Sequence, residues 1–157
     1  MRIKREKGFS LIELLIVVAI ILIIAAIAIP NLLRSRMAAN EASAVGSMRT
    51  INTACVTFST TYGVGFPTSL RALGTFGAGP SSTNAQLIDD VLAAGSKSGY
   101  TFSYAPTTVG SITSTYTLNG SPLTYNQTGQ RYFYTDQSGV IRFNVSASAT
   151  VSDSPLQ

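Results

Sequence analysis

Few residues in this 157-residue chain are equipped for chemistry. Beyond residue 8 the acids are Glu13, Glu41, Asp89, Asp90, Asp136 and Asp153; there is no histidine, no tryptophan, and one cysteine, Cys55. General acid–base catalysis needs a suitably titrating group beside a nucleophile, and a metal centre needs several convergent ligands. Asp89 and Asp90 are adjacent rather than facing, and no nucleophile, base and orienting group come together in the pattern. A lone cysteine closes no intrachain disulfide. The inventory predicts a chain that is not an enzyme and carries no cofactor.

What remains is one carboxylate in unusual company. Phe9 to Ile29 reads FSLIELLIVVAIILIIAAIAI, apolar except at Ser10 and Glu13. As a helix this run is roughly 30 Å long, the thickness of a bilayer's hydrocarbon core. An acidic side chain in such a segment costs about 2.5–3.5 kcal/mol on insertion scales, so it calls for a partner. Two simpler readings of the run exist. Ala26-Ile27-Ala28 matches the small-x-small cleavage site of a secretory signal, and the run would also serve as a plain single-pass anchor. Neither needs Glu13.

The flanking charge fixes a direction. Arg2, Lys4, Arg5 and Lys7 face only Glu6 in the first eight residues, so most of the formal net charge of +4 lies there. Basic excess beside an apolar run reads as a positive-inside signal rather than a nucleic-acid footprint. The N-terminus is expected in the cytoplasm and the C-terminal body on the far side of the membrane, with no nucleic-acid partner.

The string Lys7-Gly8-Phe9-Ser10-Leu11-Ile12-Glu13-Leu14-Leu15 resembles the leader and cleavage site of the type IV pilin superfamily, which includes the pseudopilins of type II secretion. The resemblance implies cleavage between Gly8 and Phe9 by a membrane prepilin peptidase and N-methylation of Phe9. It also implies pairing of Glu13 with the N-terminal amine of a neighbouring subunit. The chain would then be a single-pass precursor in the inner membrane, handled by an assembly platform. It would polymerise with copies of itself through the N-terminal helix into an extracellular pilus or, alternatively, a periplasmic pseudopilus. An exported, membrane-anchored binding domain is the remaining alternative. Major pseudopilins have a calcium loop near the C-terminus, for which Asp136 is a weak candidate here: one carboxylate is thin for an ion that takes six to eight oxygens. Many pilins also staple their C-terminal region with a cysteine pair, which this chain lacks; the loop Leu118 to Gln130 is left to packing and hydrogen bonds.

The elements that must position these residues follow from periodicity. Pro30 inside a helix removes a hydrogen bond and crowds the preceding turn, so a kink is expected there. Beyond it, Val45, Met48, Ile51, Cys55, Phe58 and Tyr62 recur at helical spacing and form one apolar face. Cys55 within that stripe reads as a small core residue. Gly63 and Gly65 end the helix. Pro67 starts a turn that directs Leu70 and Leu73 inward. Thr83-Asn84-Ala85-Gln86 fits a capping box opening a helix through Leu92 to Gly95.

From Tyr100 the period becomes two: Tyr100, Phe102 and Tyr104 form a half-buried strand, Ser114 to Leu118 a second, and Arg131 to Val145 a hairpin turning at Asp136-Gln137-Ser138-Gly139. The tail from Ser146 is expected to fray. The fold class is α+β, a long N-terminal helix packed on a small antiparallel sheet. The expected divisions are a leader at 1–8, an assembly helix at 9–30, an amphipathic half at 31–62 and a globular region at 63–157.

Overall fold

A computed structural model describes residues 8–156. The basic cluster of the leader, expected to set topology, lies outside the described residues. The chain divides into two units, Met1–Ser35 and Arg36–Gln157. Helix α1, Leu11–Tyr62, belongs to both and continues through Pro30 without a break. In the first unit its large apolar side chains are exposed from Leu11 to Leu33. It is one helix long and apolar enough to cross a membrane.

The second unit has its core between the C-terminal half of α1 and a five-stranded sheet. Val45, Met48, Ile51, Cys55 and Phe58 are buried as the helical spacing predicts, with Tyr62 half-buried beside them. Ala44, Ser47 and Ala54 complete the buried face. Thr50, Thr53, Thr57 and Thr60 lie outside the core, and each hydroxyl donates to the carbonyl four residues back at 2.9–3.1 Å. Those bonds satisfy the hydroxyls within a stretch of weak helix formers. Gly63, at φ +66°, adopts the left-handed cap and donates its N–H to Ser59 at 3.1 Å.

After the helix, Pro67 is buried, and a 3-10 turn at Leu70–Leu73 buries Leu70 and Leu73 as expected. The next expectation is corrected. No helix starts at Thr83: α2 is only Asp90–Ala93, capped by the Asp89 carboxylate on the Leu92 N–H at 3.0 Å. Gln86 sits at φ +56°, which a helical first turn cannot hold. Residues 85–88 instead donate their N–H groups to carbonyls of Ala72, Leu73 and Gly74. Tertiary pairing with the preceding turn outcompetes the local capping pattern.

The strands are β1 (Ser96–Lys97), β2 (Tyr100–Val109), β3 (Ile112–Pro122), β4 (Tyr132–Asp136) and β5 (Arg142–Asn144), antiparallel in sequence order. Alternation places Tyr100, Phe102, Tyr116, Leu118, Phe133 and Thr135 in the interior. The tail is also corrected: it docks. Ser154 accepts the Phe143 N–H at 3.1 Å, Leu156 donates to Ile141 at 2.8 Å, and Ala149 is buried. These bonds pair the otherwise open edge of β5.

The loop that carries no cysteine staple is fastened to α1 by polar contacts. Asn40 Nδ2 donates to the Thr128 carbonyl at 2.9 Å. Glu41 Oε1 accepts the N–H groups of Gln130 and Arg131 at 2.8 and 3.2 Å, and its Oε2 lies 3.4 Å from Arg131 Nε. From the sheet, the buried Tyr100 donates its hydroxyl to the Arg131 carbonyl at 2.8 Å.

Candidate functional site

The N-terminal segment is built by its own first turn. Gly8, Phe9 and Ser10 precede α1 in irregular, exposed backbone, and among the described residues nothing lies within 4 Å of where a Cβ on Gly8 would stand. Ser10 accepts the Leu14 N–H through its carbonyl at 3.3 Å, and Glu13 Oε2 accepts the Ser10 N–H at 2.8 Å. This is the reaching-back half of a capping box, with Ser10 at the cap and Glu13 three residues on. The carboxylate satisfies a donor the helix leaves orphaned and sits at the positive end of the helix dipole. Sequence reasoning gave Glu13 a role but missed Ser10. The signal was present, since Ser10-Leu11-Ile12-Glu13 is itself the S-x-x-E pattern.

Glu13 thus points back at the first turn, one residue from Phe9, whose side chain is 78% exposed. Behind it runs the uncovered apolar surface of α1. Such a surface is not stable in water; it requires lipid or the helices of other molecules. Pro30 lies within α1, beyond the middle of that surface.

The other residues with chemical potential are accounted for locally. The buried Cys55 is held next to Tyr104 and Tyr116, and burial pushes its thiol up to about 12, so the reactive thiolate is suppressed. The same burial raises Tyr104 and Tyr116, whose hydroxyls donate to the Pro67 carbonyl at 2.8 Å and to Asn52 Oδ1 at 3.0 Å. Asp89 is held below the usual carboxylate range first by its bond from Lys97 and then by its cap on Leu92; Thr75 does the same for Asp90.

Asp136 closes the β4–β5 turn. Its Oδ1 accepts the Ser138 N–H at 2.8 Å and its carbonyl accepts the Gly139 N–H at 3.0 Å. Among the described residues no three histidine, cysteine or acidic side chains cluster. Asp136 Oδ1 and its carbonyl are both engaged in holding their own turn.

Residues 3–29 match the family model described as the prokaryotic N-terminal methylation motif. The type IV major fimbrial protein FimA of Dichelobacter nodosus is 37% identical over 131 residues, covering 78% of this chain and 79% of FimA. The type IV wide pilus major component PilA4 of Thermus thermophilus is 63% identical over 38 residues, 24% of this chain and 29% of that relative. The type IV major pilin protein PilA of Myxococcus xanthus is 46% identical over 54 residues, 34% of this chain and 24% of its own. The last two matches thus span less than a third of those relatives. No solved structure matches. The FimA match extends through most of both chains, well beyond the N-terminal motif, and on that basis the chain belongs to the type IV pilin superfamily.

Proposed function

We propose that this chain is the structural subunit of a type IV pilus, released by cleavage between Gly8 and Phe9 and polymerised through α1. The observation that carries the reading is the bare apolar surface from Leu11 to Leu33, with one carboxylate at its N-terminal end. In the bilayer, lipid covers that surface and the inner membrane stores the subunit with its N-terminus cytoplasmic. In a filament, the same surface is covered by the helices of other copies.

Glu13 then has a physical partner. Cleavage creates an α-amino group on Phe9, and methylation leaves it positively charged. A buried carboxylate and ammonium offset each other's desolvation only in good geometry, which makes such a pair a device for register rather than for raw stability. Glu13 already bonds the N–H next to Phe9, so the processed amine arises within the carboxylate's own neighbourhood. Pro30, which gives no N–H to the helix ladder, is the place where α1 loosens as neighbours pack. A prepilin peptidase and an inner-membrane assembly platform are the implied partners.

The test is the intact mass and N-terminal sequence of protein sheared from the cell surface. A chain beginning at N-methylated Phe9 in the sheared fraction supports the proposal. A chain beginning at Ile29 would show Ala26-Ile27-Ala28 to be a signal-peptidase site and end it. Processed protein absent from the surface and retained in the periplasm would favour the pseudopilus instead.

A further inference from the structure

The outward face of the sheet carries a groove that the filament reading leaves unused. Register places Ser103 opposite Asn119 and Asn119 opposite Tyr134, so these three side chains form one row across β2, β3 and β4. They stand on the face away from the core, because their neighbours Phe102, Leu118, Phe133 and Thr135 are buried. Ser121, two positions along β3, lies on the same face. Residues 148–151 of the tail form the opposite wall, and together they outline a groove of about 560 Å³. That lies within the roughly 300–1,000 Å³ typical of small-molecule sites.

The wall is held in place rather than draped. Arg142 Nη1 donates to the Asp153 carbonyl at 2.9 Å, and Asn144 Nδ2 donates to Asp153 Oδ1 at 2.8 Å. Asp153 Oδ2 in turn accepts the N–H and hydroxyl of Thr150 at 2.7 and 2.9 Å. Ala149, 3% exposed, anchors the segment between them.

Apart from Thr150, which Asp153 holds, the groove's polar side chains are largely unengaged. The side chains of Ser103, Asn119, Ser121 and Ser148 have no hydrogen-bond partner among the described residues, and the Tyr134 hydroxyl reaches only Asp136 Oδ2, at 3.5 Å. They offer hydroxyls and a carboxamide, which donate and accept alike, beside the Tyr134 ring and the aliphatic Ala149 and Val151. Among the described residues no charged side chain lines the groove.

We propose that this groove is a binding site for a neutral saccharide. A sugar presents hydroxyls in donor–acceptor pairs and a face of C–H groups, which matches amide and hydroxyl groups set around an aromatic ring. Competing classes fit worse. Nucleic acid and anions need basic side chains, and the nearby Arg142 is engaged with the tail. A peptide adding as a strand needs an open sheet edge, whereas β3 is paired on both sides. The site acts on the subunit as such and does not depend on polymerisation.

The experiment titrates the ¹⁵N-labelled full chain in dodecylphosphocholine micelles, whose headgroup is not a sugar, with maltose, cellobiose, lactose and diacetylchitobiose. At least one disaccharide is expected to shift the amide resonances of Ser103, Asn119, Tyr134 and Thr150 saturably. Asn119→Ala and Tyr134→Ala are each expected to raise the apparent Kd about tenfold or more, and Gln137→Ala, in the exposed turn, to leave it unchanged. Both groove side chains lie off the core, so dispersed amide spectra verify that the variants are folded. The proposal is overturned if none of the four sugars gives a saturable shift, or if the shifts survive unchanged in both groove variants.

Discussion

Glu41 Oε1 accepts the Gln130 N–H at 2.8 Å, joining the amphipathic half of α1 to a loop 89 positions later in the chain. The same oxygen takes the Arg131 N–H at 3.2 Å, and Tyr100 takes hold of the Arg131 carbonyl from the other side. Many pilins close this region covalently; here one carboxylate, with Asn40 beside it, does the fastening.

Glu41→Ala is therefore expected to destabilise the second unit by about 1–2 kcal/mol. Hydrogen bonds to a charged acceptor contribute roughly 1.5–3 kcal/mol, but the loop's exposed N–H groups can turn to water, and the half-exposed Arg131 pair adds little. Equilibrium denaturation measures the loss, and amide exchange at Gln130 locates it. An unchanged midpoint with unchanged Gln130 exchange would show the fastening to be incidental.

Gly129 lies against the ring and hydroxyl of Tyr100, and a Cβ there would collide with both. Tyr100 is fully buried and its hydroxyl is committed to Arg131, so the ring has no direction in which to yield. Gly129→Ala is expected to cost about 1–3 kcal/mol, the range for overpacking a filled core. Gly79→Ala meets open space and serves as the matched control. Equal unfolding midpoints for the two variants would contradict the crowding.

Much of this fold was legible in the sequence because its core obeys two periods. The spacing of Val45 through Phe58 marks a helix face, and the alternation of Tyr100, Phe102 and Tyr104 marks a strand; the helix face, Tyr100 and Phe102 are buried and Tyr104 partly so. What was not legible depends on partners distant in sequence. Residues 85–88 abandon a passable capping box because the carbonyls of Ala72, Leu73 and Gly74 offer better bonds. The Ser-rich tail has no apolar period; the backbone bonds at Phe143 and Leu156 and the bracket of Arg142, Asn144 and Asp153 fix it. At the N-terminus the motif around Gly8 and Glu13 could be read directly, while the Ser10–Glu13 bond was overlooked although its pattern was in view.

The tail bracket should be acid-sensitive. Asp153 is held below the usual carboxylate range chiefly by the Thr150 N–H, then by the Thr150 hydroxyl and the Asn144 amide. A depressed folded-state pKa means that the stabilisation is present above the unfolded value, about 3.9, and is lost as pH falls through the folded value. The Thr150 amide should accordingly be well protected at neutral pH, and its protection relative to an unstructured amide at the same pH should fall once the pH is taken below the ordinary aspartate range. Asp153→Asn removes the charge and should abolish that pH step, leaving Thr150 poorly protected throughout. A pH step of undiminished size in the variant would assign it to another group.

Glu13 provides the sharpest separation between anchoring and assembly. If the carboxylate only caps the first turn of α1, replacing it should weaken the helix end slightly and leave filaments intact. If it also receives the amine of a neighbouring subunit, Glu13→Val should enter the membrane more readily, since removing the carboxylate relieves about 2.5–3.5 kcal/mol of insertion cost. It should also be cleaved after Gly8, because Gly8 and Phe9 are retained. Yet it should fail to appear as filaments, because an unpaired buried amine replaces the pair. Glu13→Gln retains an acceptor for the Ser10 N–H and loses only the charge, so it separates the two roles. Filament loss in both variants, with Phe9 as the mature N-terminus in each, identifies the charge as the assembly determinant. Normal filaments from Glu13→Gln would reduce Glu13 to a helix cap.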